Sequence, residues 1–171
     1  MGPIVNVNEI ELQPLPPAIA PPGDAAERYE PRIGMLGMVV GTQKLGCNLI
    51  LLAPGKMAFP FHSHRANEEM FVILEGAGEV RIGDRRYSLR AGDVVSCPAG
   101  GPERAHQIIN TSSADLRYLA ISTKHTPDII EYPDSGKFRV VEENWTNDDA
   151  VVPAFDAVHL SGTSVGYWDG E

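Results

Sequence analysis

From Met35 onward the chain reads as short apolar runs broken by glycine and proline. Leu36 to Val40 is one run, and Leu45 to Leu52 is a second, closed by Ala53-Pro54-Gly55. Glu79-Val80-Arg81-Ile82 alternates strictly, Gly83-Asp84 turns it back, and Arg86-Tyr87-Ser88-Leu89-Arg90 alternates again. Alternation with period two sends successive side chains to opposite faces, so the arginines turn to water while Tyr87 and Leu89 turn to a core. Val94 to Cys97 leads into Pro98, and Asp115 to Ser122 closes the set. Short strands about 8–12 residues apart, punctuated by turn formers, predict an antiparallel sandwich or barrel. No stretch carries a convincing helical stripe of apolar residues.

The flanks differ. Residues 1–31 hold seven of the 14 prolines, which rules out a continuous helix and favours extended geometry. Val5 to Val7 and Ile10 to Leu12 alternate and offer an edge strand, and Asp24 to Tyr29 offers one helical turn. This arm is either a loose leader or an arm that packs on its own barrel or on a neighbouring subunit. Past Lys124 the pattern loosens. Ile129 to Tyr132 pairs with Phe138 to Val141 across Pro133-Asp134-Ser135-Gly136, and beyond Asn144 the expectation is irregular chain. Phe155, Val158, Leu160, Tyr167 and Trp168 are too apolar for a disordered tail and predict docking.

Composition narrows the function. The apolar share of 43% suits one globular domain with arms. No long apolar run or signal-peptide pattern is present, so the expectation is a cytoplasmic protein without membrane contact. Cys47 and Cys97 fit separate core thiols in a reducing compartment. The net charge of −9 is uneven: residues 1–125 carry 13 acidic and 12 basic side chains, residues 126–171 carry 10 and 2. No basic face results, which excludes phosphate-backbone binding to nucleic acid. A small anionic ligand remains open, since that depends on the field inside a cavity.

The chemistry concentrates in Phe61-His62-Ser63-His64-Arg65-Ala66-Asn67-Glu68-Glu69. On an extended strand His62 and His64 share a face. Glu69 follows, with Phe71 and Ile73 on its face, and Glu68 turns outward. Two imidazoles and a carboxylate aimed into one cavity make most of a first-row metal site, and His106 on a later strand-like run is the natural fourth ligand. Glu103 and Arg104 precede His106 on a loop. Arg104 could clamp an anion, and Glu103 could act as a base if burial lifted its pKa; the alternative is an inconsequential surface pair. Tyr118, Tyr132 and Cys97 are weaker cavity candidates, while His125 and His159 read as ordinary polar residues.

Gly55, His62-x-His64, Glu69 and Gly76, followed by Gly92, Pro98-x-Gly100, His106 and Asn110, resemble the two motifs of the cupins. The resemblance implies an all-β fold, an antiparallel double-stranded β-helix (jelly-roll) barrel. The domain would span 35–125, between a Pro-rich arm at 1–34 and an irregular acidic extension at 126–171. It implies one divalent metal ion (zinc, manganese, iron or nickel) on His62, His64, Glu69 and His106, with Asn110 holding either backbone or a residue that orients a ligand. It further implies subunit association, with a homodimer as the simplest closed form. The chain looks most like the single-domain bacterial cupins, many of which have no assigned reaction and some of which are labelled as sugar-phosphate isomerases. A metal-dependent isomerase or epimerase on a small polar or anionic substrate is therefore the leading expectation, with Glu103 and Arg104 as catalytic residues. An iron-dependent dioxygenase, a non-catalytic small-ligand binder, a storage protein and a closed structural zinc site are the alternatives.

Overall fold

The computed structural model describes residues 3–145 and 151–171. The N-terminal arm gives β1 (Gln13–Pro14), α1 (Asp24–Arg28) and β2 (Arg32–Gly34). A second short helix, α2 (Leu36–Val40), leads to β3 (Leu45–Leu52). The motif region gives β4 (Ser63–His64), β5 (Glu69–Glu75), β6 (Ala77–Ile82), β7 (Arg85–Arg90), β8 (Val94–Cys97), β9 (His106–Ile109) and β10 (Leu116–Thr123). Last come β11 (Asp128–Tyr132), β12 (Lys137–Trp145) and β13 (Val151–Leu160).

One side of the barrel is a six-stranded sheet in the order β1-β2-β3-β10-β5-β8. The other side joins β7-β6-β9 to β4-β11-β12-β13, and the bridge between His62 and His106 links the two groups. Every pair of named strands is antiparallel, as the alternation predicted, and the barrel is the jelly roll that the resemblance implied.

Strand register explains where the cavity opens. The inward row at the closed end is Ile50–Tyr118–Ile73, with Leu52 opposite Leu116 beyond it. These five side chains are at most 1% exposed, and each aliphatic one contributes about 1.5–3 kcal/mol by leaving water. One step along each strand the row becomes Asn48–Ala120–Phe71–Val95, and the next is Gly46–Ser122–Glu69–Cys97. The interior thus passes from packed aliphatic to polar within two rows, and the polar end cannot close on itself.

The motif glycine and asparagine hold the turns at the opposite end. Gly76 has φ of 81°, and a Cβ there would collide with the Asp115 carbonyl oxygen, so no other residue fits. The fully buried Asn110 donates from its amide to the carbonyls of Leu52 and Ala114, both at 2.8 Å. Its Oδ1 accepts from the Ser112 N–H at 3.0 Å.

The arm is a strap. β1 pairs with β2, the Met57 N–H donates to the Arg28 carbonyl, and Arg117 donates to both the Val7 carbonyl and the Asn8 side chain. The arm's edge strand is Gln13–Pro14, and the segment at Val7–Glu9 is a 3₁₀ turn instead of an extended one.

Four expectations need correction. Leu36–Val40 is a helix, not a strand. Gly37 lets it lie against Thr42 and Cys47, Gly41 ends it at φ 74°, and five residues are too few for periodicity to distinguish the two. Beyond Asn144 the expectation of irregular chain holds for 161–171 but not for Val151–Leu160, which is β13 and pairs with β12, while 146–150 lie outside the described residues. Both faces of β13 from Phe155 to Leu160 are largely exposed, so burial imposed no alternation on the sequence. The tail's apolar residues stay out of their own barrel: Phe155, Val158, Leu160, Tyr167 and Trp168 are all more than half exposed. Tyr87 also differs, being 46% exposed where Leu89, two residues further along β7, is buried.

Candidate metal centre

β4 and the residue before it deliver His62 and His64, β5 opens on Glu69, and β9 opens on His106. All four side chains meet at the polar end. Glu69 Oε2 lies 2.6 Å from His106 Nε2, 3.5 Å from His62 Nε2 and 3.7 Å from His64 Nε2. The ring centroids of His64 and His106 stand 5.1 and 4.8 Å from that of His62. Donor atoms about 2.1 Å from one ion stand roughly 3.0–3.4 Å apart, so this cluster has the dimensions of a coordination shell. The ligand atoms of His62, His64 and Glu69 fall within 4.8 Å of one another. His106 bonds directly to the same carboxylate oxygen.

The far side of each imidazole is also occupied. His62 Nδ1 is 2.7 Å from the Pro60 carbonyl, His64 Nδ1 2.6 Å from Asp128 Oδ2, and His106 Nδ1 3.2 Å from the Arg104 carbonyl. All three partners are acceptors, so a neutral ring keeps its proton on Nδ1 and presents a bare Nε2. With an ion bound, three lone pairs would converge beside a carboxylate that is only 17% exposed; without one, His106 Nε2, 2.6 Å from Glu69 Oε2, donates its proton to that oxygen. Such a donor set calls for a cation, and neutral imidazole nitrogen with one carboxylate oxygen suits a divalent first-row metal.

In the metal-free protein the protons on these rings set the electrostatics. Burial acts to raise the Glu69 pKa, but hydrogen bonds from His106 and His62, with the charge of His62 and His64, hold it well below the usual carboxylate value. Burial acts to lower the His64 pKa, and the hydrogen bond to Asp128 with the charges of Glu69 and Asp128 raises it overall. Cys97, across the strand from Glu69, is pushed up to about 12 by burial and by that carboxylate, so it is a protonated core thiol. Both cysteines are free.

Sequence reasoning missed Asp128. It is 3% exposed, and besides His64 it accepts from the Ala66 N–H at 2.8 Å and the Asn67 amide at 2.9 Å. It stands 64 residues from His64 and reaches it because β11 pairs with β4. Asn67 was read only as part of a polar break. Its side chain accepts from the His125 N–H and Thr123 hydroxyl and donates to the His125 carbonyl, which ties the ligand loop to the end of β10.

Glu103 and Arg104 fall on an exposed 3₁₀ turn, Pro102–Arg104, that absorbs the residues before His106. Neither lines the two cavities that meet at Glu69. The condition for Glu103 as a base is not met: backbone N–H donors, including that of Gly101, hold its pKa below the ordinary value. Glu68 is exposed, as expected.

The larger cavity, about 190 Å³, is lined by His64, Glu69, Asn48, Ser122, Lys124 and His125. His125 therefore reaches the mouth, which its position past the last motif strand did not signal. The smaller, about 30 Å³, lies between His62, His106, Phe71 and Tyr118. Tyr118 is buried edge-on against Phe71, and Tyr132 stands 6.3 Å from the His62 ring centroid. Among the described residues no helix is long and apolar enough to cross a membrane.

Residues 48–122 match the family model described as the Cupin domain. Quercetin 2,3-dioxygenase of Bacillus subtilis is 29% identical over 111 residues, which is 60% of this chain and 33% of that protein. The chain therefore spans about a third of that relative's length. A provisionally assigned sugar phosphate isomerase from Acidithiobacillus ferrooxidans superposes with a TM-score of 0.62 at 27% identity, over 73% of this chain and 76% of that one. A cupin-superfamily sugar phosphate isomerase from Silicibacter pomeroyi superposes with a TM-score of 0.71, over 88% of this chain and 92% of that one. Its identity is 22%, so it speaks to the fold alone.

Proposed function

The chain carries a cupin domain, and from that premise we propose that it is a metal-dependent enzyme acting on a small polar substrate, an isomerase or epimerase of a sugar or sugar phosphate. The observation that carries this reading is the polar cavity of about 190 Å³ opening directly onto His64 and Glu69. Ligand sites for drug-sized molecules measure about 300–1,000 Å³, so this one suits a compact substrate. The resemblance to the Acidithiobacillus protein supports the substrate class.

His62, His64, Glu69 and His106 would hold one divalent ion. When bound, such an ion supplies Lewis acidity toward a carbonyl or hydroxyl oxygen. The rest is work for the protein. Asp128 fixes His64 so that Nε2 stays bare. Asn48 and Ser122, on the polar inward rows, offer hydrogen bonds to substrate hydroxyls. Lys124 lines the cavity and brings positive charge to it, and His125 and Glu143 are lining groups outside the ligand set able to carry a proton. Those residues take the roles first expected of Arg104 and Glu103.

The test is to incubate metal-loaded protein with a panel of aldose and ketose phosphates in D2O and follow them by proton NMR. Interconversion with deuterium entering at C2 supports the isomerase. The second reading, an oxygen-consuming dioxygenase, is favoured by the Bacillus relative. It predicts uptake at an oxygen electrode with iron-loaded protein, and the small cavity argues against a flavonoid as its substrate. Tight retention of a small molecule with neither signal would make the protein a binding module.

A further inference from the structure

Tyr118 belongs to the inward row Ile50–Tyr118–Ile73 at the packed end of the barrel and is only 1% exposed. The next inward residue along β10 is Ala120, whose small side chain leaves space between that row and the row of Glu69. Phe71 holds the Tyr118 ring edge-on, with centroids 5.8 Å apart. The phenol thus joins His62, Glu69 and His106 in the wall of the smaller cavity, of about 30 Å³. Burial and the charge of Glu69 both raise its pKa, so at neutral pH it keeps its proton and is a donor.

That donor meets no acceptor among the described residues. A polar group buried this deeply is nearly always satisfied, by protein or by ordered water, and leaving it bare costs its full desolvation. Two other residues of the same wall also keep a bare oxygen among the described residues. The contacts of Glu69 with the three histidines all fall on Oε2, which leaves Oε1. Gln107 donates its amide to the Phe59 carbonyl at 2.8 Å, which leaves its Oε1. One donor and two acceptors are the partners a single buried water takes, and about 30 Å³ is the share of one water in the liquid.

We infer that the smaller cavity is a site for one water, which accepts from the Tyr118 hydroxyl and donates to Glu69, so that Tyr118 is a positioning residue for that carboxylate. The two cavities meet at Glu69. The larger is polar and sized for a substrate; the smaller is walled by Ala58, Phe71, Ile108 and Ala120 and has no room for one. Glu69 is thus held from its closed side while its other side stays free. The inference rests on the metal centre described above and not on the reaction proposed for it.

Crystals of the protein as purified should show one electron-density peak within hydrogen-bond distance of both Tyr118 Oη and Glu69. Tyr118→Phe, checked for a wild-type far-ultraviolet spectrum, should lose that peak. Oxygen-17 relaxation dispersion should count one long-lived water fewer in the variant. Its affinity for zinc, read by chelator competition, should fall about tenfold, as on loss of an orienting partner. Should the variant not fold, xenon pressure on wild-type crystals decides the matter, since a dry apolar cavity takes up xenon and a watered one does not. Xenon in the cavity, a peak that survives in Tyr118→Phe, or a zinc affinity within about twofold of wild type would overturn the inference. A wild type that takes up no zinc would end the reading of the metal centre, while the density would still decide for or against the water.

Discussion

Replacing Asp128 by asparagine should uncouple the candidate metal site from its support without emptying a cavity. The new side chain has the same shape, and its Oδ1 can still accept from the Ala66 N–H, now 2.8 Å from the carboxylate. Its NH₂, however, replaces the oxygen that accepts from His64 Nδ1 at 2.6 Å and from the Asn67 amide at 2.9 Å. Donor then faces donor at both contacts. His64 can respond by moving its proton to Nε2, which gives Nδ1 a lone pair to accept with and blocks the nitrogen that would hold the ion. Loss of such an orienting partner weakens metal affinity about 10–100-fold, or roughly 1.4–2.7 kcal/mol. The buried Asn67 amide also loses an acceptor, which costs about 1–3 kcal/mol of stability. The assay is competition for zinc or manganese against a chromophoric chelator, on protein whose melt is still cooperative. An affinity within about twofold of wild type would refute the argument that Asp128 sets the tautomer of His64.

Other expectations follow from the same contacts. His106→Ala should lose the ion and Glu68→Ala should keep it, as read by elemental analysis; full retention by His106→Ala would remove that residue from the ligand set. Asn67→Ala breaks four buried or half-buried hydrogen bonds, at about 0.5–1.5 kcal/mol each, and should lower the melting temperature by several degrees. An unchanged melt would show that the loop does not depend on it. In metal-free protein, burial acts to raise the Asp128 pKa while His64, Asn67 and the Ala66 N–H outweigh it and hold it below the ordinary value. A depressed carboxyl contributes stability above its unfolded-state pKa of about 3.9, and that share is lost as pH falls through the folded value. Acid unfolding of the Asp128→Asn variant should lack this component, and superimposable acid transitions would contradict the assignment.

The barrel was legible because most of its strands bury one face. Leu45–Leu52 and Val94–Cys97 begin and end where glycine, proline and alternation set them. The candidate ligands were legible for the same reason, since two histidines two apart on a strand must share a face. What escaped notice has a physical pattern too. α2 is a single turn set by contacts of Gly37 and by the left-handed Gly41, which are tertiary facts. β13 is an edge with little burial and so little alternation. Asp128 acts on His64 only through the pairing of β11 with β4, and a lone aspartate before an apolar run carries no mark of that. Glu103 drew attention by sitting beside His106 in sequence, yet a 3₁₀ turn carries it to the surface.

The most direct test of the account is the metal content of protein purified without a histidine tag or added metal, measured beside His62→Ala. About one equivalent of a divalent first-row ion per chain in the wild type, and none in His62→Ala, is the predicted result. A wild type that carries no such ion and takes up none on titration, or a His62→Ala variant that keeps it, would contradict the claim that His62, His64, Glu69 and His106 form a metal centre.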